Sequence, residues 1–391
     1  MMWGVRSEPL AWSYDSSPDQ IESRAELDAY VERGRLAGTT VLGLTIDRPL
    51  TTVDVTDTLF VGCRFTDSGA MADVVARGGT VVPIFVETPY VNTPAALYTP
   101  DDLAQGFGTA AGPYDEVVYQ HYLTHGGALP DVREALAQRV HDTGIDTALG
   151  RALGTWHSDH GATSVVGVMG GHAEPRGSAA YRLAAHLGRE LARAGRLVLT
   201  GGGPGVMEAA NLGSYLSGRD EGALTDAVDR LATAPDFRQT GPYTTAALAV
   251  RQAEPETGLA RGGIGVPTWL YGHEPTNLFA GGIAKYFSNA IREDTILRAA
   301  RGGVVFAPGR AGTVQEIFAA ATKVFYRSDG PGAPLIFLDT GFWTSVVPVE
   351  SLLRPLLAGS PHGDQGGLVH LTDDVSEVVS LLTHTDAEPR G

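Results

Sequence analysis

The sequence predicts a doubly wound α/β domain over residues 163–384, built on a parallel sheet with helices on both faces. Short apolar runs alternate there with helical segments, as in the run at 164–171 followed by the helical stretch at 178–195. Strands that alternate with helices form parallel sheets with right-handed crossovers. Two apolar runs also lead directly into glycine-rich loops, at 201–205 and 308–313. Both loops are therefore expected at the carboxyl edge of the sheet.

The rest of this segment follows the same alternation, with one interruption at 219–243. That interruption is rich in Asp, Glu, Pro and Gly, which predicts a surface insertion. The other predicted elements are a strand at 196–205, a helix at 206–218, a strand at 264–271, a helix at 283–302, a strand at 303–309, a helix at 313–326, a strand at 334–339 and a closing strand and helix that end near 384.

Residues 1–160 are interpreted as a separate N-terminal region that precedes a nucleotide-binding domain at 161–391. The stretch 88–130 is rich in Pro, Gly, Thr and Tyr and predicts loops with short helices. No motif in this region indicates a particular chemistry. Its predicted regular elements are a helix around 20–35, β-rich runs at 39–46, 58–63 and 80–87, and a helix near 131–140.

Composition excludes several classes of function. Acidic residues outnumber basic ones by 45 to 29, for a net charge of −16, which opposes binding to a nucleic acid polymer. The single cysteine, Cys63, can form neither an internal disulfide nor a multi-cysteine zinc site. The sequence shows no signal peptide and no run long enough to cross a membrane. A cytoplasmic protein without a membrane partner is expected.

The first loop reads GGGPG at 201–205, between a predicted strand and a predicted helix. Glycines let the backbone approach a ligand closely and adopt positive φ at little cost. The helix that follows presents unpaired N–H groups and the positive end of its dipole, which suit a phosphate. A tight turn without a ligand is the alternative, although one glycine suffices for such a turn. The loop has neither the Walker pattern nor the dinucleotide-binding spacing.

The second loop, PGRAGT at 308–313, occupies the same kind of junction. Thr313 and Glu316 stand three apart, as in a Thr-x-x-Glu capping box, and spacing alone favours that structural role. The two roles can coexist, because a capping glutamate at the carboxyl edge of a sheet also faces the ligand crevice. Glu208, in the first turn after the first loop, has a similar alternative as an acid that stabilises the helix dipole.

A third candidate group lies on the predicted helix between the loops. Lys285, Asn289 and Arg292 fall at i, i+4 and i+7 and would share one helical face. Such a stripe is usually solvated, and it concerns a ligand only if it faces the loops. His157 and His160 are interpreted as a surface pair, so no metal site is predicted.

The segments GGGPGVMEAAN at 201–211 and PGRAGTVQE at 308–316 resemble the paired signatures of the Lonely Guy (LOG) family, whose members were long mislabelled lysine decarboxylases. The first segment is closer to the variant in bacterial purine/pyrimidine nucleotide monophosphate nucleosidases. NAIRED at 289–294 resembles the arginine-bearing helix of the family, and APLIFLDTGFW at 333–343 resembles the strand after its second motif. The resemblance covers the whole predicted α/β domain.

This resemblance implies a Rossmann-like fold and a homodimer or larger assembly. It also implies hydrolysis of the N-glycosidic bond of nucleoside 5′-monophosphates without a cofactor, giving free base and ribose 5-phosphate. By position, Arg292 and Glu316 would be the catalytic pair. The family has Pro-Gly-Gly where this chain has Arg310 third, and that side chain would add a phosphate contact or obstruct the loop. The residues expected to bind phosphate or nucleotide are Gly201, Gly202, Gly203, Gly205, Glu208, Asn289, Gly309, Arg310, Gly312 and Thr313.

Two alternatives remain open at the level of sequence. A non-catalytic nucleotide-binding or sensor protein would use the same crevice, because fold alone does not determine function. The apolar helix at 317–326 fits either a subunit interface or burial within one subunit. Neither a pyridoxal phosphate site nor a serine in a nucleophile-elbow sequence is recognisable.

Overall fold

A computed structural model describes residues 20–82, 84–85 and 87–384. Its first part holds six short parallel strands: β1 (Gln20–Ile21), β2 (Thr40–Leu42), β3 (Thr45–Ile46), β4 (Leu59–Val61), β5 (Arg64–Phe65) and β6 (Thr80–Val82). Four of them form one sheet in the order β1-β2-β4-β6, and β3 pairs with β5. Residues 20–82 are called the N-terminal coil below.

The N-terminal coil is a stacked repeat of about 20 residues, since Gln20, Thr40, Leu59 and Thr80 are successive partners across the strands. Each turn places one apolar side chain in a small core of its own, which contains Ile21, Val41 and Phe60. The β-rich runs were correctly located, but the repeat was not recognised. It is visible in the sequence as TVLGLTI stacked on LFVGCRF.

Five helices belong to the described residues before 161: α1 (Arg24–Glu32), α2 (Ser68–Ala76), α3 (Pro100–Ala104), α4 (Tyr114–Thr124) and α5 (Val132–His160). The helix predicted near 131–140 is α5, which runs for 29 residues. Its Ile145, Leu149 and Leu153 share one core with residues of the following sheet. The domain boundary at 160 therefore stays a prediction, because α3 to α5 pack with the α/β part while the N-terminal coil has a separate core.

The second part confirms the doubly wound α/β fold. Its seven strands are β7 (Val165–Met169), β8 (Leu197–Thr200), β9 (Ile264–Gly265), β10 (Gly282–Ile283), β11 (Gly303–Phe306), β12 (Leu335–Leu338) and β13 (Val369–Thr372). They form one parallel sheet in the order β10-β9-β8-β7-β11-β12-β13. The direction of winding reverses between β7 and β11, as in Rossmann-like folds.

Nine helices accompany these strands: α6 (Ala179–Arg193), α7 (Val206–Tyr215), α8 (Glu221–Leu231), α9 (Thr240–Ala253), α10 (Asn289–Ala299), α11 (Ala311–Tyr326), α12 (Thr340–Ser345), α13 (Val349–Ala358) and α14 (Val375–His384). Alternate residues of β7 show that both faces are covered. Val165 and Met169 belong to one core, and Val166 and Val168 to the other. Period-two alternation of side chains requires this when a strand is buried on both sides.

The predicted surface insertion at 219–243 is wrong, because α8 and the start of α9 occupy it. Asp220 caps α8 by accepting a hydrogen bond from the N–H of Ala223. Leu224, Val228 and Leu231 then fall on one helical face and are buried. The polar composition of the segment concealed this apolar stripe. Helices α12 and α13 were also not predicted, and α13 contains Pro355 in its interior.

Two predicted helix starts are wrong, and both errors affect the site. The helix predicted from 283 begins only at Asn289, where Ser288 is the N-cap. Residues 282–283 are the edge strand β10, so Lys285 is not on the helix and shares no face with Arg292. The strand predicted at 264–271 shrinks to β9 followed by a 3-10 turn at 269–271.

The helix predicted from Thr313 begins two residues earlier, at Ala311. Its N-cap is Arg310, which makes no side-chain capping hydrogen bond. Thr313 therefore lies inside the first turn and Glu316 in the second, so the capping box is wrong. Helix capping therefore explains neither Thr313 nor Glu316.

One face of the apolar helix α11 packs inside the subunit, where Ile317, Ala320 and Val324 are buried. Phe318 and Tyr326 remain exposed by 43% and 61%. The homodimer stays a prediction. Within the described part of the chain, none of the helices combines the length and apolar character needed to cross a membrane.

The repeat of the N-terminal coil predicts different costs for two matched substitutions. Gly38 and Gly62 both have positive φ, but a Cβ at Gly38 would meet nothing within 4 Å, whereas one at Gly62 would lie 2.6 Å from Thr93 Cγ2. Gly38→Ala should lose about 1 kcal/mol of unfolding free energy for its backbone alone. Gly62→Ala should lose clearly more, measured by urea unfolding. Equal losses of unfolding free energy in the two variants would show that the turn at Gly62 tolerates a side chain.

Candidate functional site

A cleft of about 620 Å³ opens at the carboxyl edge of the large sheet. It lies where the strand order reverses, between the loops that follow β7 and β11. Crevices of this kind are the usual ligand sites of doubly wound sheets. The structure thus brings both glycine loops to one cleft, together with the loop after β7 at 170–174 and the wall at 267–276.

Most of the residues predicted for the site line this cleft, and three do not. Gly205, Glu208 and Asn289 lie outside its lining. The predicted residues that line it are Gly201, Gly202, Gly203, Arg292, Gly309, Arg310, Gly312, Thr313 and Glu316.

Close packing accounts for two glycines of the first loop. Gly202 has a φ of 70°, and a Cβ there would lie 2.6 Å from Pro267 Cδ. Gly205 also has a φ of 70°, and a Cβ there would collide with the carbonyl oxygen of Gly171. The N–H of Val206 donates to that same carbonyl. The loop is therefore needed as a tight turn, and its glycine content alone does not establish a ligand.

Arg292 and Glu316 form an ion pair inside the cleft, with 3.7 Å between Nη1 and Oε1. Arg292 comes from the first turns of α10 and Glu316 from the second turn of α11. Their side chains are only 9% and 15% exposed. Arg292 Nε is buried and has no hydrogen-bond partner among the residues that the structure describes. The guanidinium group thus keeps donor capacity for a ligand.

Burial raises the pKa of Glu316 from its ordinary value of 4.5 to about 7. The charge of Arg292 lowers this pKa and that of Glu293 raises it, but both effects are smaller than desolvation. A carboxylate that titrates near neutral pH exchanges protons readily, and such groups cluster at functional sites. The geometry therefore gives Glu316 a chemical property that helix capping would not require.

A second carboxylate in the cleft, Glu274, was missed at the level of sequence. Burial raises its pKa, and the charges of His273, Lys285 and Arg292 lower it by less. Its Oε2 lies 2.8 Å from where a Cβ of Gly203 would stand, so a glycine there leaves room for the carboxylate. Glu274 comes three residues after the strand predicted at 264–271, and that position near the carboxyl edge was the available signal.

Glu208 has a structural role, so its predicted contact with a ligand is wrong. It is 1% exposed and accepts hydrogen bonds from Arg176 Nε at 2.8 Å, from the Tyr181 hydroxyl at 2.9 Å and from the Tyr243 hydroxyl at 2.6 Å. These bonds tie α7 to α6, to α9 and to Arg176, which lies just after the loop at 170–174. Asn289 likewise donates its amide to Glu293 Oε1 at 2.7 Å instead of facing the cleft.

Comparison with known proteins gives one finding. A sequence model of the SLOG cluster4 family matches residues 163–225. The matched segment contains the first glycine loop and ends before the second. The SLOG superfamily is related to LOG-type nucleotide-processing proteins, which supports a nucleotide-related function. No curated protein matches the chain.

The raised pKa of Glu316 predicts a pH-dependent loss of stability. The folded state holds a proton up to about pH 7 that the unfolded state releases near pH 4.5, so stability falls as pH rises between these values. The loss should approach about 3 kcal/mol. Glu316→Gln should remove the share of this loss that Glu316 contributes, measured by urea unfolding at pH 4.5 and pH 8. Glu350→Gln, on the exposed face of α13, is the control and should follow wild type. Parallel curves for wild type and Glu316→Gln would contradict this assignment.

Proposed function

We propose that the cleft hydrolyses the N-glycosidic bond of nucleoside 5′-monophosphates and releases free base and ribose 5-phosphate. The observation that carries this proposal is the buried Arg292–Glu316 pair between two glycine loops. The match to the SLOG cluster4 family supports a nucleotide as the ligand. The LOG resemblance supports this particular reaction.

The phosphate is assigned to the start of α11. The first-turn N–H groups of a helix lack partners within the helix, and its dipole favours an anion. Gly309, Gly312 and Thr313 line the cleft there, and a Cβ at Gly312 would meet nothing within 4 Å. Arg310 is exposed at the rim, which favours an added phosphate contact over an obstructed loop. Anchoring the phosphate positions the ribose for reaction.

Glu316 is assigned to the ribose. Cleavage of the bond to the base develops positive charge on the sugar ring, as in glycoside hydrolysis. An ionised carboxylate beside the ring stabilises this charge, and burial strengthens the effect because little water screens it. Arg292 favours the ionised form of Glu316 and offers donors to phosphate or ribose oxygens.

Glu274 is assigned to the leaving base. A base departs more easily when a proton is delivered to it, and a carboxylic acid with a raised pKa is suited to that role. Glu274 then acts as the general acid, and Glu316 stabilises the positive charge on the ribose. Glu274 lies on the wall at 267–276 and Glu316 on α11, so they approach the cleft from different elements.

The proposal predicts that Glu316→Gln separates turnover from binding. Release of ribose 5-phosphate should fall by about a hundredfold or more, because the amide lacks the negative charge. Calorimetry should show AMP binding nearly unchanged in the variant, and weaker binding of adenosine than of AMP. Glu350→Gln is the matched control and should keep wild-type turnover. Wild-type turnover in Glu316→Gln would remove this residue from the mechanism. Tight AMP binding with no turnover in the wild type would favour the non-catalytic sensor.

The role of Glu274 predicts a dependence on the leaving group. Glu274→Gln should slow AMP hydrolysis by about 10²- to 10⁴-fold, the usual contribution of a general acid. It should hardly affect p-nitrophenyl ribofuranoside 5-phosphate, whose leaving group needs no proton. Glu316→Gln should slow both substrates. Equal losses on both substrates in Glu274→Gln would rule out proton donation by this residue.

A further inference from the structure

A buried carboxylate from outside the α/β part takes three donors from the wall of the cleft. Asp115 lies in the first turn of α4 and is 6% exposed. Its Oδ1 accepts from Trp269 Nε1 at 2.8 Å and from Lys285 Nζ at 2.6 Å. Its Oδ2 accepts from Thr276 Oγ1 at 2.5 Å. One side chain therefore ties together two segments that are separated by strand β10.

Two of these partners, Trp269 and Thr276, belong to the segment that carries Glu274, and Lys285 follows β10. Thr276 and Lys285 line the cleft, and Trp269 is fully buried beneath it. Between β9 and β10 the regular structure is one short 3-10 turn, and an isolated bridge between Thr268 and Tyr286 joins this segment to the chain after β10. Tyr119, one turn further along α4, also packs on Gly272 so closely that no Cβ would fit there. Helix α4 is thus the outer support of the wall.

The charge of Asp115 is required by Lys285. The Lys285 side chain is 3% exposed, and a buried ammonium group without a partner is strongly unfavourable. A neutral side chain of the same size at position 115 could fill the same space. The charge of Lys285 lowers the pKa of Glu274. A carboxylate at 115 opposes that charge, which a neutral side chain would not do.

We propose that Asp115 is a positioning residue of the cleft: it fixes Lys285 and the wall at 267–276, and so sets the place and the protonation of Glu274. This inference rests on the proposed hydrolysis. With this role for Asp115, helix α4, which precedes residue 161, contributes to the geometry of the site. The charged and titratable groups that act on Glu274 are His172 from the loop after β7, His273 from its own segment, Lys285 from the chain after β10, and Arg292 from α10.

The test is Asp115→Asn, whose amide keeps the size of the side chain and can still accept hydrogen bonds but does not offset Lys285. The pKa of Glu274 should fall, because the lysine charge is unopposed. The alkaline limb of the kcat/KM profile for AMP hydrolysis should move to lower pH by the same amount. A ¹³C-carboxyl titration of Glu274, assigned through Glu274→Gln, reports the same shift without relying on turnover.

Two further variants make the result decisive. Asp115→Asn combined with Lys285→Met removes both charges and should return the titration of Glu274 towards wild type, even if Asp115→Asn alone does not fold. Asp101→Asn, which breaks the exposed pair with Arg251, is the control in the same part of the chain and should change nothing. An unchanged titration in Asp115→Asn would overturn the positioning role. A shifted titration without wild-type release of ribose 5-phosphate would support the positioning role and reject the proposed reaction.

Discussion

Because the strand order reverses between β7 and β11, the chain leaves these two neighbouring strands towards opposite faces of the sheet, and a crevice stays open between their loops. The site depends on this topological constraint. It places the first turn of α11 and the guanidinium group of Arg292 at one cleft, although their elements are separated along the chain by β11. The tight turns at Gly202 and Gly205 serve the same end, since they let the loops after β7, β8 and β9 close around the crevice.

The electrostatics of the cleft follow from how deeply it is enclosed. Glu316 and Glu274 are desolvated enough to raise the pKa of each carboxyl group, while Arg292 lies close enough to limit both shifts. Ionising Glu316 above neutral pH therefore costs folding stability. A protein keeps such a cost where function needs the group, which is the usual trade between stability and activity. Glu208 shows the opposite case: this buried carboxylate accepts hydrogen bonds from Arg176, Tyr181 and Tyr243 and joins α7 to its neighbouring helices.

The sequence was most informative where one signal dominated. Buried parallel strands are continuous apolar runs, so the large sheet and both glycine loops were predictable. Helix starts were not, because Lys285 follows a short edge strand whose residues are also compatible with a helix. The Thr313–Glu316 spacing matched a capping box by chance. Asp115 had no signal at all, since its partners stand 154 to 170 positions away along the chain. Only the tertiary structure brings α4 against the wall of the cleft.

The central claim is that water attacks the ribose of a nucleoside 5′-monophosphate bound in this cleft. The most direct measurement is mass spectrometry of the products after incubating the protein with AMP in water enriched in heavy oxygen. The account predicts free adenine, and ribose 5-phosphate that carries one heavy oxygen at the anomeric carbon when the reaction is quenched early. Intact AMP after prolonged incubation with excess protein would contradict it, as would adenosine and free phosphate as the products.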